Sequence, residues 1–95
     1  MDEQTILEKV KTSLRITTDD FDDEVLDLIQ ACLADLTTAG VIVPETNDIL
    51  ILQAVKTFCR AHFGIPDNYD KLKASYDEQK AQLSMKSGYT LWSNG

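Results

Sequence analysis

Ile49-Leu50-Ile51-Leu52-Gln53-Ala54-Val55-Lys56-Thr57-Phe58-Cys59-Arg60-Ala61-His62-Phe63-Gly64 decides the fold. Wound as a helix, this stretch is apolar almost all round, and only Gln53, Lys56, Thr57 and Arg60 form a polar strip. A helix of that kind sits in the middle of a domain or is shared with a neighbour. Asn47 or Asp48 suits its N-cap. Gly64 closes it, and Pro66 prevents resumption. The pattern therefore predicts a central helix near residues 48–63.

Working outward, the preceding segment repeats the helical period. Phe21, Val25, Leu28, Ile29, Cys32, Leu33 and Leu36 recur at steps of about three and four, so a helix is predicted near 20–39. Thr18, Asp19 or Asp20 is the expected cap. Acids crowd the first turn, where the positive end of the helix dipole favours them. Gly40 suits the left-handed closing position, and Val41-Ile42-Val43-Pro44 reads as an extended loop. Before this, Ile6, Leu7, Val10 and Leu14 make one narrow stripe on a helix near 3–15, with Glu8, Lys9, Lys11, Thr12 and Ser13 on its outer side. After Pro66, Tyr69, Leu72, Tyr76 and Leu83 form a thin seam on a helix near 67–86. Asp67/Lys71, Asp70/Lys73 and Asp77/Lys80 are expected pairs on its outer face. The fold class is all-α: a small bundle of about four helices with a short extended C-terminal tail, residues 87–95.

A chain of 95 residues fits a single domain, 1–95. Its folding balance is narrow. About 140 kcal/mol of apolar burial is opposed by ordering costs of similar size, so association is a plausible further source of stability. No apolar run approaches the roughly 20 residues of a membrane span. The acidic start, Met1-Asp2-Glu3-Gln4, does not read as a signal peptide.

The net charge is −7, unevenly spread. Between Arg15 and Lys56 there is no base, yet nine of the 16 acids fall there, including Asp19, Asp20, Asp22 and Asp23. Tight phosphate binding needs clustered Lys and Arg, which argues against a nucleic-acid-grasping module. The acidic run also fails as an EF-hand. Counting from Asp19 puts Glu24 at the glycine position and Gln30 at the closing glutamate position. A solvated acidic helix start is the better reading.

Catalytic, cofactor and metal sites are not expected. Cys59 and the single histidine, His62, share a helix face, but a structural zinc site wants four ligands, and only Cys32 remains to join them. The expected role of His62, opposite the polar strip, is a core or interface residue with a hydrogen-bond partner. Cys32 and Cys59 lie on apolar faces, where free cysteine packs as a small hydrophobe. No serine has a nucleophile-elbow context. The tail Tyr89-Thr90-Leu91-Trp92 carries the only tryptophan. Such a tail either folds onto its own domain or docks on another chain. Docking is the expectation for Tyr89, Leu91 and Trp92, because Ser87-Gly88 offers a hinge.

Taken together, Leu14-Arg15-Ile16 running into acids, Ala61-His62-Phe63-Gly64, and the block Tyr69-Asp70-Lys71-Leu72-Lys73-Ala74-Ser75-Tyr76-Asp77-Glu78-Gln79-Lys80-Ala81-Gln82-Leu83 resemble a known family. It is the small head–tail connector, or head-completion, proteins of long-tailed bacteriophages and prophages. The resemblance covers nearly the whole chain and rests on order and lengths rather than on one motif. It implies a non-enzymatic virion protein made in the bacterial cytoplasm, with no cofactor. Its place would be the virion neck, in a homo-oligomeric ring of about twelve copies. The ring would lie beneath the portal protein, extend the DNA channel and receive the stopper or tail-completion protein. DNA would pass without specific binding, and no membrane is involved. Asp19, Asp20, Asp22 and Asp23 are then candidates to face the channel. Because the sequence stops at Asn94-Gly95, a longer portal-contacting arm is not expected. The alternative is a small acidic phage-encoded regulator that binds and inhibits a DNA-binding protein.

Overall fold

The computed structural model describes residues 3–41 and 49–85. Four helices follow one another: α1 (Glu3–Leu14), α2 (Asp22–Thr38), α3 (Ile49–His62) and α4 (Tyr69–Met85). No strand occurs among the described residues, and the chain is an all-α bundle. The segment 42–48 and the tail after Met85 lie outside the described residues.

α3 packs against each of the other three helices, as its all-round apolar surface requires. Ile51, Ala54, Val55 and Cys59 on α3 meet a core built from Leu7 and Val10 on α1 and from Val25, Ile29, Cys32 and Leu36 on α2. α4 contributes only Tyr76 and Leu83 as buried side chains. It is the most polar helix and is held through few anchors.

Two helices end in the same left-handed device. At the end of α2, Gly40 takes φ 90°. Its N–H donates to Thr37 O, and the Val41 N–H to Leu36 O, each at 3.0 Å. At the end of α1 the same pair of bonds runs from Arg15 to Thr12 O (3.1 Å) and from Ile16 to Lys11 O (2.9 Å). This is a Schellman closure. Arg15 holds φ 61°, where a side chain with a Cβ costs roughly 1–2 kcal/mol.

Several sequence expectations need correction. The N-cap of α2 is Phe21, which makes no side-chain cap bond. Thr18 instead accepts from the Asp20 N–H at 3.2 Å, closing a small turn before the helix. Thr57 is buried rather than part of the polar strip, because its hydroxyl donates to Gln53 O within the helix and needs no water. Lys11 is also buried, for the reason given below. On α4, Lys73 pairs with Asp77 (2.9 Å), and Lys80 reaches across to Asp35 on α2 (3.0 Å). The short-range partner assigned to each lysine by spacing is thus replaced.

Candidate functional site

Three surfaces deserve description: the acidic start of α2, a polar cleft between α2, α3 and α4, and a groove between α3 and α4.

The left-handed turn at Arg15 sends the chain back across α1, so that the acidic run returns over Lys11. The Lys11 Nζ sits 3.0 Å from Asp19 Oδ1 and 2.8 Å from Asp22 Oδ1. The Lys11 ammonium donates a hydrogen bond to Asp19 Oδ1. The contact to Asp22 is close in charge but leaves Oδ1 without a well-directed donor. The carboxylates of Asp22 first, then Asp19, hold the Lys11 ammonium above its ordinary 10.5. Asp20 and Asp23, by contrast, are exposed. Of the four acids singled out from the sequence, two therefore clamp α1 to the start of α2, and two remain uncompensated. Next to them, the half-exposed Phe21 ring meets Phe63 edge-on, with centroids 5.6 Å apart.

In the polar cleft, the Tyr76 hydroxyl donates to Asp35 Oδ2 at 2.6 Å and accepts from Cys32 Sγ at 3.7 Å. Lys80 donates to the same Asp35 oxygen at 3.0 Å. Burial and the Asp35 carboxylate push the Tyr76 phenol well above its usual range, so it stays a donor. Burial also pushes the Cys32 and Cys59 thiols up to about 12. None of these groups is poised for proton transfer or nucleophilic attack near neutral pH. Among the described residues no group of three or more His, Cys, Asp or Glu could hold a metal ion. His62 is exposed on the single chain, which takes it out of the core and leaves the interface half of its expected role. It packs one face toward Phe58 (4.4 Å between centroids) and approaches Tyr69 edge-on (5.8 Å). Its position in the last turn of α3 places the ring beyond the core layer.

The α3/α4 groove is lined by Leu50, Gln53, Gln79, Gln82 and Leu83. The sequence offered no signal for it, since its two walls lie nearly thirty residues apart. The tail residues Tyr89, Leu91 and Trp92 fall outside the described residues. No helix among the described residues is long and apolar enough to cross a membrane.

Comparison with curated proteins and with solved structures finds no match. A family model described as phage connector protein matches residues 6–90. That match runs from the first turns of α1 past the end of α4 and takes in both left-handed closures, the Lys11 clamp and the Asp35–Tyr76 bridge. With nearly the whole chain covered, the protein belongs to the bacteriophage head–tail connector family.

Proposed function

We propose that this protein is a structural, non-enzymatic subunit of the phage neck. Copies assemble into a closed ring of about twelve beneath the portal protein. The ring extends the DNA channel and receives the stopper or tail-completion protein. The observation that carries this reading is the family match over residues 6–90.

Two physical features support it. Large apolar side chains stand in water on the single chain: Ile65 is 98% exposed, Met85 84% and Ile49 68%. Such residues suit a subunit with neighbours. The acidic start of α2 is proposed to face the channel. There Asp20 and Asp23 carry the charge that repels passing phosphates, while Asp19 and Asp22 hold Lys11. The tail is proposed as an arm that docks on another chain of the neck.

The test is native mass spectrometry and electron microscopy of the purified protein, alone and mixed with portal protein. A ring of defined copy number, alone or on the portal, is the expected result. A chain that stays monomeric or dimeric in both, and competes with DNA for a DNA-binding protein, would favour the regulator instead.

A further inference from the structure

The turn between α3 and α4 carries the most exposed large apolar side chain among the described residues. Ile65 stands 98% in water, beside an exposed Gly64. A Cβ added at Gly64 would meet nothing within 4 Å, so the turn stands clear of its own chain. Neither the Gly64 nor the Ile65 backbone N–H makes a hydrogen bond among the described residues. The turn is thus an apolar knob with unpaired donors beside it.

The groove between the start of α3 and the end of α4 is the reverse. Gln79 Oε1 is buried there without a hydrogen-bond partner. A buried acceptor left unmade has lost its water for nothing, so the site favours a donor from outside. About 370 Å³ lies between Leu50, Leu83 and the side chains of three glutamines, room for one branched aliphatic side chain and the backbone that carries it. Charge selects the occupant. Each chain carries −7, so two copies meet best where both faces are neutral. No charged residue lines the groove, and Gly64-Ile65-Pro66 holds none. A chain does not fill its own groove, because Tyr69 to Gln82 alone spans about 20 Å of helix between turn and groove.

We infer that Ile65 of one copy seats in the α3/α4 groove of the next copy, with a backbone N–H of Gly64 or Ile65 donating to Gln79 Oε1. Turn and groove are different surfaces at opposite ends of one helix pair, so the contact is heterologous. Repeated with a rotation that closes, it makes a ring. This inference rests on the ring reading above and names the contact that joins its subunits.

Cross-linking tests it. Cys32 and Cys59 are buried, so cysteines introduced as Ile65→Cys and Gln82→Cys are the ones a short thiol cross-linker reaches. The length of α4 keeps the two apart within one chain. In protein assembled alone or on portal, the double variant should give a ladder of linked chains on a denaturing gel, and each single variant should stay unlinked. Ile65→Asp alters a side chain that is 98% exposed, so helix content and melting temperature should hold while assembly is lost. Gln79→Met removes the unpaired acceptor. Association should weaken about tenfold, while the melting temperature of the monomer stays or rises. A lowered melting temperature with association unchanged would make Gln79 a residue of the fold alone and overturn the inference. A ring without the 65–82 link would overturn it and leave the connector ring standing. A chain that stays monomeric even with portal present would remove both.

Discussion

Tyr76 on α4 donates its hydroxyl to Asp35 on α2 across 2.6 Å. Both helices pack on α3, and this bridge is where their side chains meet. Lys80 shares the Asp35 oxygen and stands 5.3 Å over the Tyr76 ring. A neutral donor, a carboxylate and a cation thus bind the polar helix α4 to the acidic helix α2. Phe58 of α3 packs its ring edge against Tyr76 at 5.2 Å and completes the junction.

Tyr76→Phe keeps the buried ring and deletes the donor. It should cost about 1–2 kcal/mol, the value of a hydrogen bond to a charged acceptor, since Asp35 keeps Lys80 and partial access to water. Tyr76→Ala also empties the core and should cost about 3–5 kcal/mol. Chemical denaturation of the two variants checks the order. Equal losses would mean the hydroxyl, not the ring, holds α4.

The same junction gives an acid limb to the stability curve. Burial pushes the Asp35 carboxyl up, but hydrogen bonds from Tyr76 and Lys80 and the lysine charge outweigh it, and the net position is below the ordinary 3.8. A depressed carboxyl contributes stability that is complete above its unfolded value and is lost as pH falls through the folded one. Wild type should therefore lose this contribution only below about pH 4. Asp35→Asn should be less stable at pH 7, and the difference should shrink toward pH 2. A difference that stays constant with pH would show that Asp35 acts by packing alone.

The helix architecture was readable because each helix carries its own period. Val25, Ile29, Cys32 and Leu36 repeat at steps of four, three and four, and the near-continuous apolar surface of α3 announced its central place. Gly40 and Gly64 marked two helix ends, and both take positive φ. What stayed hidden depends on the folded path. Lys11 looked like an outer-face residue until the turn at Arg15 laid Asp19 and Asp22 over it. Lys80 looked paired to Asp77, three residues away, but a half-buried partner on another helix wins over an exposed one on its own. The Asp35–Tyr76 bridge spans 41 positions, beyond any local pattern. His62 lies outside the core of the single chain because periodicity gives the face of a helix and not how far the core extends along it.

Arg15 and Gly40 close helices in the same way, and only one is glycine. Arg15→Gly should stabilise the chain by up to about 1 kcal/mol, because relief of left-handed strain outweighs the extra freedom of glycine in the unfolded state. Gly40→Ala should lower stability by about 1–2 kcal/mol for the converse reason. Thermal melts of the pair, with opposite shifts, check this. A loss of stability in Arg15→Gly would mean the arginine side chain contributes more than its backbone strain costs.

Cys32 and Cys59 are both free and fully enclosed. With thiols pushed up to about 12, almost no thiolate exists at pH 8. A thiol reagent should react only after the chain is unfolded in denaturant, and then with two equivalents. Cys59→Ala should cost about 1–3 kcal/mol through a small cavity. Metal analysis should find no stoichiometric zinc. Rapid labelling of native protein, or one tightly held metal per chain, would overturn the packing role.

The acidic start of α2 separates into two pairs with different jobs, and paired substitutions distinguish them. Asp19→Asn with Asp22→Asn strips Lys11, a residue only 5% exposed, of both carboxylates, so the melting temperature should fall clearly. Asp20→Asn with Asp23→Asn alters exposed groups. It should cost only about 0.3–1 kcal/mol, from the lost favourable charge at a helix start. Neither wild type nor the second variant should retard duplex DNA at physiological salt, where uncompensated carboxylates still act over a Debye length of about 8 Å. If the acidic face lines the channel, the second variant should assemble normally yet slow DNA passage and lower infectivity, because each copy in the ring presents the same change to the same phosphates. The first variant should instead fail at the level of folded subunit. Normal infectivity in Asp20→Asn/Asp23→Asn, with assembly intact, would remove the channel from the account and leave the acids as a solvated helix start.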